Sequence, residues 1–238
     1  MSEIWDKIWQ RDQQDWDSLS EEIYQTLRKE MGHVQGKKIL EAGSGSGRIS
    51  LRLALEGAEV TLLDYSPKAL EISRNHFNKY KIQAFFINAD LTEKLPFEDN
   101  SFDVVWNAGV MEHFNRQEQL DITREFKRIS REFHTFNPFA GSFFYRLGKW
   151  TAEKNGVWGY GKEFPVQSMK DIFDGSGYTL QTEYSIAHST SLDFLAFVNN
   201  HTVQLIHLFL LDLDEVEKTE MLKRMGGYLL YSKGLDNN

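Results

Sequence analysis

A short apolar run, Lys38-Ile-Leu-Glu-Ala42, passes without a spacer into Gly43-Ser-Gly-Ser-Gly47, which leads into a segment whose Leu51, Ala54 and Leu55 share one helical face. A strand turning this tightly into a helix belongs to a sheet built with crossovers. Three glycines in five residues let backbone pass close beneath a ligand, and the amides at a helix start favour polar or anionic groups. The unit then repeats. Glu59-Val-Thr-Leu-Leu63 is a second strand ending at Asp64, and Ser66-Pro67 supplies an N-cap with proline at the first helical position. In that helix Ala69, Ile72, Ser73, His76, Phe77 and Tyr80 fall on one side, so His76 is read as an edge residue of a packed face and not as a ligand. Residues 83–87 and 102–106 are the third and fourth strands, with Pro96 and Asp99-Asn-Ser101 marking the turn-rich link.

The second half carries the same grammar less clearly. Residues 117–129 place Ile122, Phe126 and Ile129 at helical spacing, and 132–136 is a short fifth strand before Asn137-Pro138. A helix over 168–174 closes on Gly175-Ser-Gly177, a sixth strand spans 178–184, and 227–231 is the last. Two segments do not fit a sheet. Residues 139–164 hold Phe143, Phe144, Tyr145, Trp150, Trp158 and Tyr160, and 185–224 is a mostly helical insertion; both are read equally as cover for a cleft or as core. The greasiest stretch, 203–213, is interrupted by Gln204, His207 and Asp212 and falls far short of the ~20 apolar residues of a span, so it reads as a buried helix.

Composition narrows the function classes. With no Cys, disulfides, thiolate catalysis and Cys-ligated zinc are excluded. A formal charge of −8 without a basic stripe disfavours nucleic acid, whose phosphates call for a cationic face. The first ten residues mix Glu3, Asp6 and Lys7 with Trp5 and Trp9, which is not a secretory pattern, so a cytoplasmic enzyme is expected. His134, His188, His201 and His207 lack paired acidic motifs, and no metal is expected. The glycine turn is not the dinucleotide fingerprint, because Arg48 stands where its third glycine belongs, and no Gly-Lys-Ser/Thr follows for a phosphate loop.

The run Ile39-Leu-Glu-Ala-Gly-Ser-Gly-Ser-Gly47 resembles Glu-x-Gly-x-Gly-x-Gly, the first motif of class I S-adenosylmethionine-dependent methyltransferases. Asp64 matches their ribose-binding acid, and Asn88-Ala-Asp90-Leu91 matches the position that meets the adenine amino group. Residues 95–105 resemble the run into strand four, and Trp106-Asn-Ala-Gly-Val-Met-Glu-His-Phe114 resembles the loop at the methionine end. The likeness covers roughly residues 36 to 130 and is strongest to the type 11 small-molecule branch, related to the ubiquinone and menaquinone biosynthetic methyltransferases. Beyond Ile129 the branch's Leu-Lys-Pro-Gly-Gly-like turn is missing.

The resemblance implies an α/β, Rossmann-like fold: a mostly parallel seven-stranded sheet in the order 3-2-1-4-5-7-6, helices on both faces, and helical and aromatic lid insertions. It implies one domain over 1–238, with 1–30 as an N-terminal helical lid and 139–165 and 185–225 as substrate caps. The N-terminal aromatics Trp5, Trp9, Trp16 and Tyr24 are read as part of that cofactor lid, with packing alone or a dimer contact as the alternatives. It implies S-adenosyl-L-methionine as cofactor and S-adenosyl-L-homocysteine as product, held by Glu41, Gly43, Gly45, Gly47, Asp64, Tyr65, Asp90, Leu91, Asn107 and Ala108. The expected reaction is methyl transfer to a small O, N or C nucleophile, mainly through proximity and orientation. Glu112 and His113 are the nearest candidates to deprotonate an acceptor; the competing reading has Glu112 capping a helix and His113 packing beside the adenosine. Nucleobase methylation is disfavoured, since the place of the Asn/Asp-Pro-Pro-Tyr motif reads Asn107-Ala-Gly-Val110, and Asn137-Pro-Phe139 is read as a structural turn. The alternative function is a non-catalytic cofactor-binding or protein-interaction domain.

Overall fold

The computed structural model describes residues 16–236. Seven strands form one sheet in the order β3-β2-β1-β4-β5-β7-β6, as expected. β1 (Lys38–Ala42) lies at the centre between β2 (Glu59–Asp64) and β4 (Val104–Ala108), parallel to both. β3 (Phe85–Asn88) and β5 (Glu132–Pro138) continue the parallel part outward, while β7 (Leu229–Leu235) pairs antiparallel with both β5 and β6 (Thr179–Ile186). Strands buried on both faces read as continuous apolar runs, which is why Ile39-Leu40, Leu62-Leu63 and Val104-Val105 were legible.

Adjacent residues of each strand feed opposite cores. On one face Ile39, Val60, Trp106 and Phe136 pack under α1 (Ser18–Met31) and α2 (Arg48–Leu55), with Phe77 contributed by α3 (Pro67–Tyr80). On the other, Leu40, Val105 and Phe133 meet Ile122, Phe126 and Ile129 of α4 (Arg116–Ile129) and Ile172 and Phe173 of α6 (Lys170–Ser176). Each of these fully buried side chains contributes on the order of 1.5–3 kcal/mol. Helix ends are specified locally: Ser66 Oγ accepts from Ala69 N, and Asn115 and Glu118 form a reciprocal capping box on α4.

Several boundaries differ from expectation. β5 runs seven residues and is buried from Phe133 onward, so Asn137 and Pro138 belong to the strand and are not a turn. The proline is tolerated because it is the terminal strand residue. β4 starts at Val104, and Phe102 makes only an isolated bridge to Ser130. His134 does have an acidic partner: its Nε2 lies 2.8 Å from Glu132 Oε1, while its Nδ1 meets the Tyr231 hydroxyl at 2.7 Å. Residue alternation hid this, since Glu132 and His134 sit two apart on one face of the strand.

Residues 139–225 hold α5 (Phe143–Lys154), a 3-10 stretch at Thr190–Phe197, α7 (Asn200–Asp212) and α8 (Glu215–Met225). Leu192, Leu195, Leu210 and Leu222 form a small core here, separate from the sheet. α7 is not the buried helix its composition suggests: Leu210 alone is buried, whereas Leu205, Leu208, Phe209 and Leu211 are exposed among the described residues. The polar residues of α7, among them Gln204, His207 and Asp212, are not gathered on one face, so nothing in the pattern signals which side turns outward. Among the described residues no helix is long and apolar enough to cross a membrane.

Candidate active site

The carboxyl ends of β1, β2 and β4 meet at the glycine turn. Gly43, Gly45 and Gly47 all have left-handed backbone, with φ of 79°, 53° and 65°. The turn is tied to β2 through Gly43 N and Ser44 N, which donate to the Leu63 carbonyl at 2.7 and 2.9 Å. A Cβ on Gly43 would stand 2.6 Å from Val110 Cγ2, and one on Gly47 2.3 Å from Leu62 Cδ2, so side chains are excluded by packing as well as by φ. Ser73 Oγ donates to the Gly45 carbonyl at 2.7 Å, and His76 Nδ1 lies 3.0 Å from the Ser46 carbonyl. The packed-face edge assigned to His76 is thus also a brace for the turn.

Asp64, buried at the end of β2, accepts from Gly45 N at 2.8 Å on Oδ2 and from Ser66 N at 2.9 Å on Oδ1. Asn88 donates to the Asp64 and Tyr65 carbonyls, both at 3.0 Å, which fixes β3's end beside half-buried Tyr65. Asp90 is exposed and holds its own loop by accepting from Thr92 N and Oγ1, while Leu91 is buried in the second core. Below the turn Glu41 is buried with Oε2 unpartnered, and Ser44 Oγ is likewise orphaned. Burial, reinforced by the Asp64 charge, pushes the Glu41 carboxyl up to about 8. Asn107 is also fully buried: its Oδ1 accepts from Thr135 Oγ1 at 2.6 Å and its Nδ2 has no partner, while Ala108 beyond it is half-buried.

Glu112 and His113 lie on the 3-10 turn Met111–His113 that follows β4. The structure brings to them a residue that sequence reading missed. Glu163 supplies a third group, and one nitrogen or oxygen of each lies within 4.8 Å of those of the others. The sequence expectation of no metal site therefore meets a cluster of metal-ligand type, assembled by Phe164 N donating to the Glu112 carbonyl at 2.7 Å. No local spacing signals a partner fifty residues away. Burial raises the Glu112 carboxyl well above its usual range and Glu163 to about 7, and lowers His113. Glu112 does not cap α4, whose N-cap is Asn115.

Around these groups the two sheet-foreign segments converge. Tyr145 of α5 donates to Glu163 Oε2 at 3.1 Å, and its ring lies 5.0 Å from Phe194 and 5.1 Å from Tyr228. Trp158 contacts Tyr160, Phe194 and Phe197 at centroid distances of 5.3, 6.3 and 6.0 Å. Gly148 lets α5 approach, since a Cβ there would sit 2.1 Å from the Phe194 carbonyl oxygen. At the other end, α1 packs Ile23, Leu27 and Met31 into the sheet core, and Trp16 faces the Arg52 guanidinium at 4.0 Å. Trp5 and Trp9 lie outside the described residues.

A parallel sheet reversed at its β5-β7 edge, with a glycine turn leading from its central strand into a helix, defines the Rossmann-like architecture of class I methyltransferases. Residues 39–132 match the family described as "Methyltransferase domain". Over 78 residues it is 37% identical to a demethylmenaquinone methyltransferase of Tropheryma whipplei, covering 32% of this chain and 31% of that protein. It is 30% identical over 83 residues to a ubiquinone biosynthesis O-methyltransferase of Alkalilimnicola ehrlichii, covering 35% and 34%. The matched segment thus spans about a third of these curated relatives. The magnesium protoporphyrin IX methyltransferase of Synechocystis, solved with bound S-adenosylhomocysteine, shares the fold at a TM-score of 0.61 and 15% identity, over 92% of this chain and 82% of that one.

Proposed function

We propose that the protein transfers a methyl group from S-adenosylmethionine to a small-molecule acceptor, as a single domain whose segments 139–165 and 185–225 enclose the acceptor. The observation that carries this reading is the glycine turn braced onto Asp64, with the buried oxygens Glu41 Oε2 and Ser44 Oγ left without partners beside it. These residues fit the cofactor. Gly43, Gly45 and Gly47 give it a side-chain-free platform, and a carboxylate with two acceptor oxygens, as at Asp64, suits a vicinal diol. Glu41 would hold the amino-acid ammonium, while Tyr65, Asp90 and Leu91 would border the adenosine and Asn107 and Ala108 the methionine end.

When bound, the cofactor supplies an electrophilic methyl carbon on a sulfonium. The protein's part is then to position the acceptor and exclude water, for which the ring cluster of Tyr145, Trp158, Phe194 and Tyr228 is suited. His113, whose charged form burial disfavours, and the carboxylate form of Glu163, whose proton affinity burial raises to about 7, are placed to take a proton from an acceptor. The acidic charge of the chain supports an acceptor other than nucleic acid. Incubation with methyl-tritiated cofactor and pooled small molecules should label at least one pool, with label lost on adding excess S-adenosylhomocysteine. Tight cofactor binding with every pool unlabelled would favour a non-catalytic domain.

A further inference from the structure

We propose that Trp106 and Ser50 are positioning residues for the cofactor: their buried donors take hold of the Glu41 carboxylate when the cofactor's ammonium meets it, and Glu41 gives up a proton in that exchange. This rests on the methyltransferase reading above and deepens its cofactor site.

Glu41 Oε2, Trp106 Nε1 and Ser50 Oγ are buried without hydrogen-bond partners. The indole N–H can only donate, the serine hydroxyl can donate, and an ionised carboxylate can only accept. Placement brings the three together. Glu41 of β1 and Trp106 of β4 are register partners, and neighbouring strands lie about 4.8 Å apart, so the two side chains stand side by side. The alternation that turns Ile39 into the first core turns Glu41 to the same face, and Trp106 lies in that core. Ser50 of α2, fully buried, favours the charged form of the same carboxyl, which places it at that group. Buried donors left without acceptors are rare and unfavourable, so two of them around one carboxyl call for a partner in the working state.

The protonation of Glu41 explains why these donors stand idle. Burial lifts its carboxyl to about 8; Ser50 works against the rise, the Asp64 charge adds to it and the Arg48 charge subtracts from it. Arg48 also lies 3.6 Å from Asp17, the N-cap of α1, which divides its pull between two carboxylates. At neutral pH and without cofactor, Glu41 is therefore mostly a neutral acid, and a neutral acid is a weaker acceptor than a carboxylate. An ammonium beside it favours the charged form and reverses that balance. The carboxylate then has charge enough to accept from the ammonium and from the Trp106 and Ser50 donors together. One carboxylic acid and one ammonium become an ion pair, and the proton of Glu41 passes to solvent, with charge conserved.

The test is calorimetric titration of the full chain with S-adenosylhomocysteine, which carries the ammonium, and with 5′-methylthioadenosine, which lacks it. Buffers of different ionisation enthalpy at pH 7 report the protons released. Close to one proton per S-adenosylhomocysteine is expected and none with 5′-methylthioadenosine, and Kd for the first ligand should tighten about five- to tenfold from pH 6 to pH 7. Glu41→Gln should remove that pH dependence. Trp106→Phe and Ser50→Ala should each weaken S-adenosylhomocysteine about three- to tenfold while leaving 5′-methylthioadenosine within about twofold of wild type, which also reports that they fold. Trp106→Phe opens space in the core, so Ser50→Ala serves as the second, smaller variant. Equal losses for both ligands in both variants would make the two residues merely structural and overturn the proposal. S-adenosylhomocysteine binding without proton release defeats this inference alone, whereas absent binding defeats the methyltransferase reading with it.

Discussion

Replacing Asp64 separates two duties of one carboxylate. Its oxygens accept from Gly45 N at 2.8 Å and Ser66 N at 2.9 Å, and both donors are buried. A hydrogen bond to a charged group contributes about 1.5–3 kcal/mol, so removing both in Asp64→Ala should cost about 2–4 kcal/mol of stability once water entering the vacated space is allowed for. Asp64→Asn retains one acceptor oxygen and should cost about half as much. For the cofactor the ordering changes, because the ribose diol requires a charged carboxylate with two acceptor oxygens. Both variants should lose about 1.5–3 kcal/mol of binding, or about 10- to 150-fold in Kd. Denaturant titration gives the first quantity and calorimetric titration with S-adenosylhomocysteine, on samples shown to be folded, gives the second. Wild-type affinity in folded Asp64→Asn would refute the ribose assignment while leaving the bracing role intact.

Gly47→Ala places a Cβ 2.3 Å from Leu62 Cδ2 at a φ of 65°, and should destabilise by about 1–3 kcal/mol in denaturant titration, with cofactor affinity reduced as the turn shifts. Burial alone would raise the Glu132 carboxyl, but His134 and Lys233 outweigh it and hold it at about 2, below the unfolded value of 4.5. Its contribution is therefore present above pH 4.5 and lost as pH falls toward 2; the wild-type midpoint temperature should drop through that window, and Glu132→Gln should flatten the decline. Glu41 behaves oppositely, since its folded value near 8 lies above 4.5. Ligand-free stability should fall between pH 5 and 8, on the order of 3 kcal/mol, and Glu41→Gln should remove most of that slope in thermal melts.

The parallel half of the fold was legible because its signals are local. Ile39-Leu40 next to three glycines, Leu62-Leu63 ending in Asp64, and Ser66-Pro67 each specify strand, turn or cap within a few residues, and the structure pairs them in that register. The glycine turn and Asp64 were named from the same stretch and lie together at 2.8 Å. What resisted reading depends on distant partners. Glu163 joins Glu112 only through the fold of the loop after α5, and the Asn107-Thr135-Asn137 chain spans two strands. β5 seemed short because Asn137 and Pro138 are poor strand residues by propensity, yet pairing with Leu230 and Leu229 of β7 decides their conformation. α7 misled for the opposite reason, since apolar composition signals burial only when a helix has neighbours on every side.

Parallel titration of the protein with S-adenosylmethionine, S-adenosylhomocysteine and NAD tests the central claim most directly. Micromolar binding of the first two without NAD is the predicted result. Binding of NAD alone, or of none of the three, would contradict the assignment of the glycine turn and Asp64 to this cofactor.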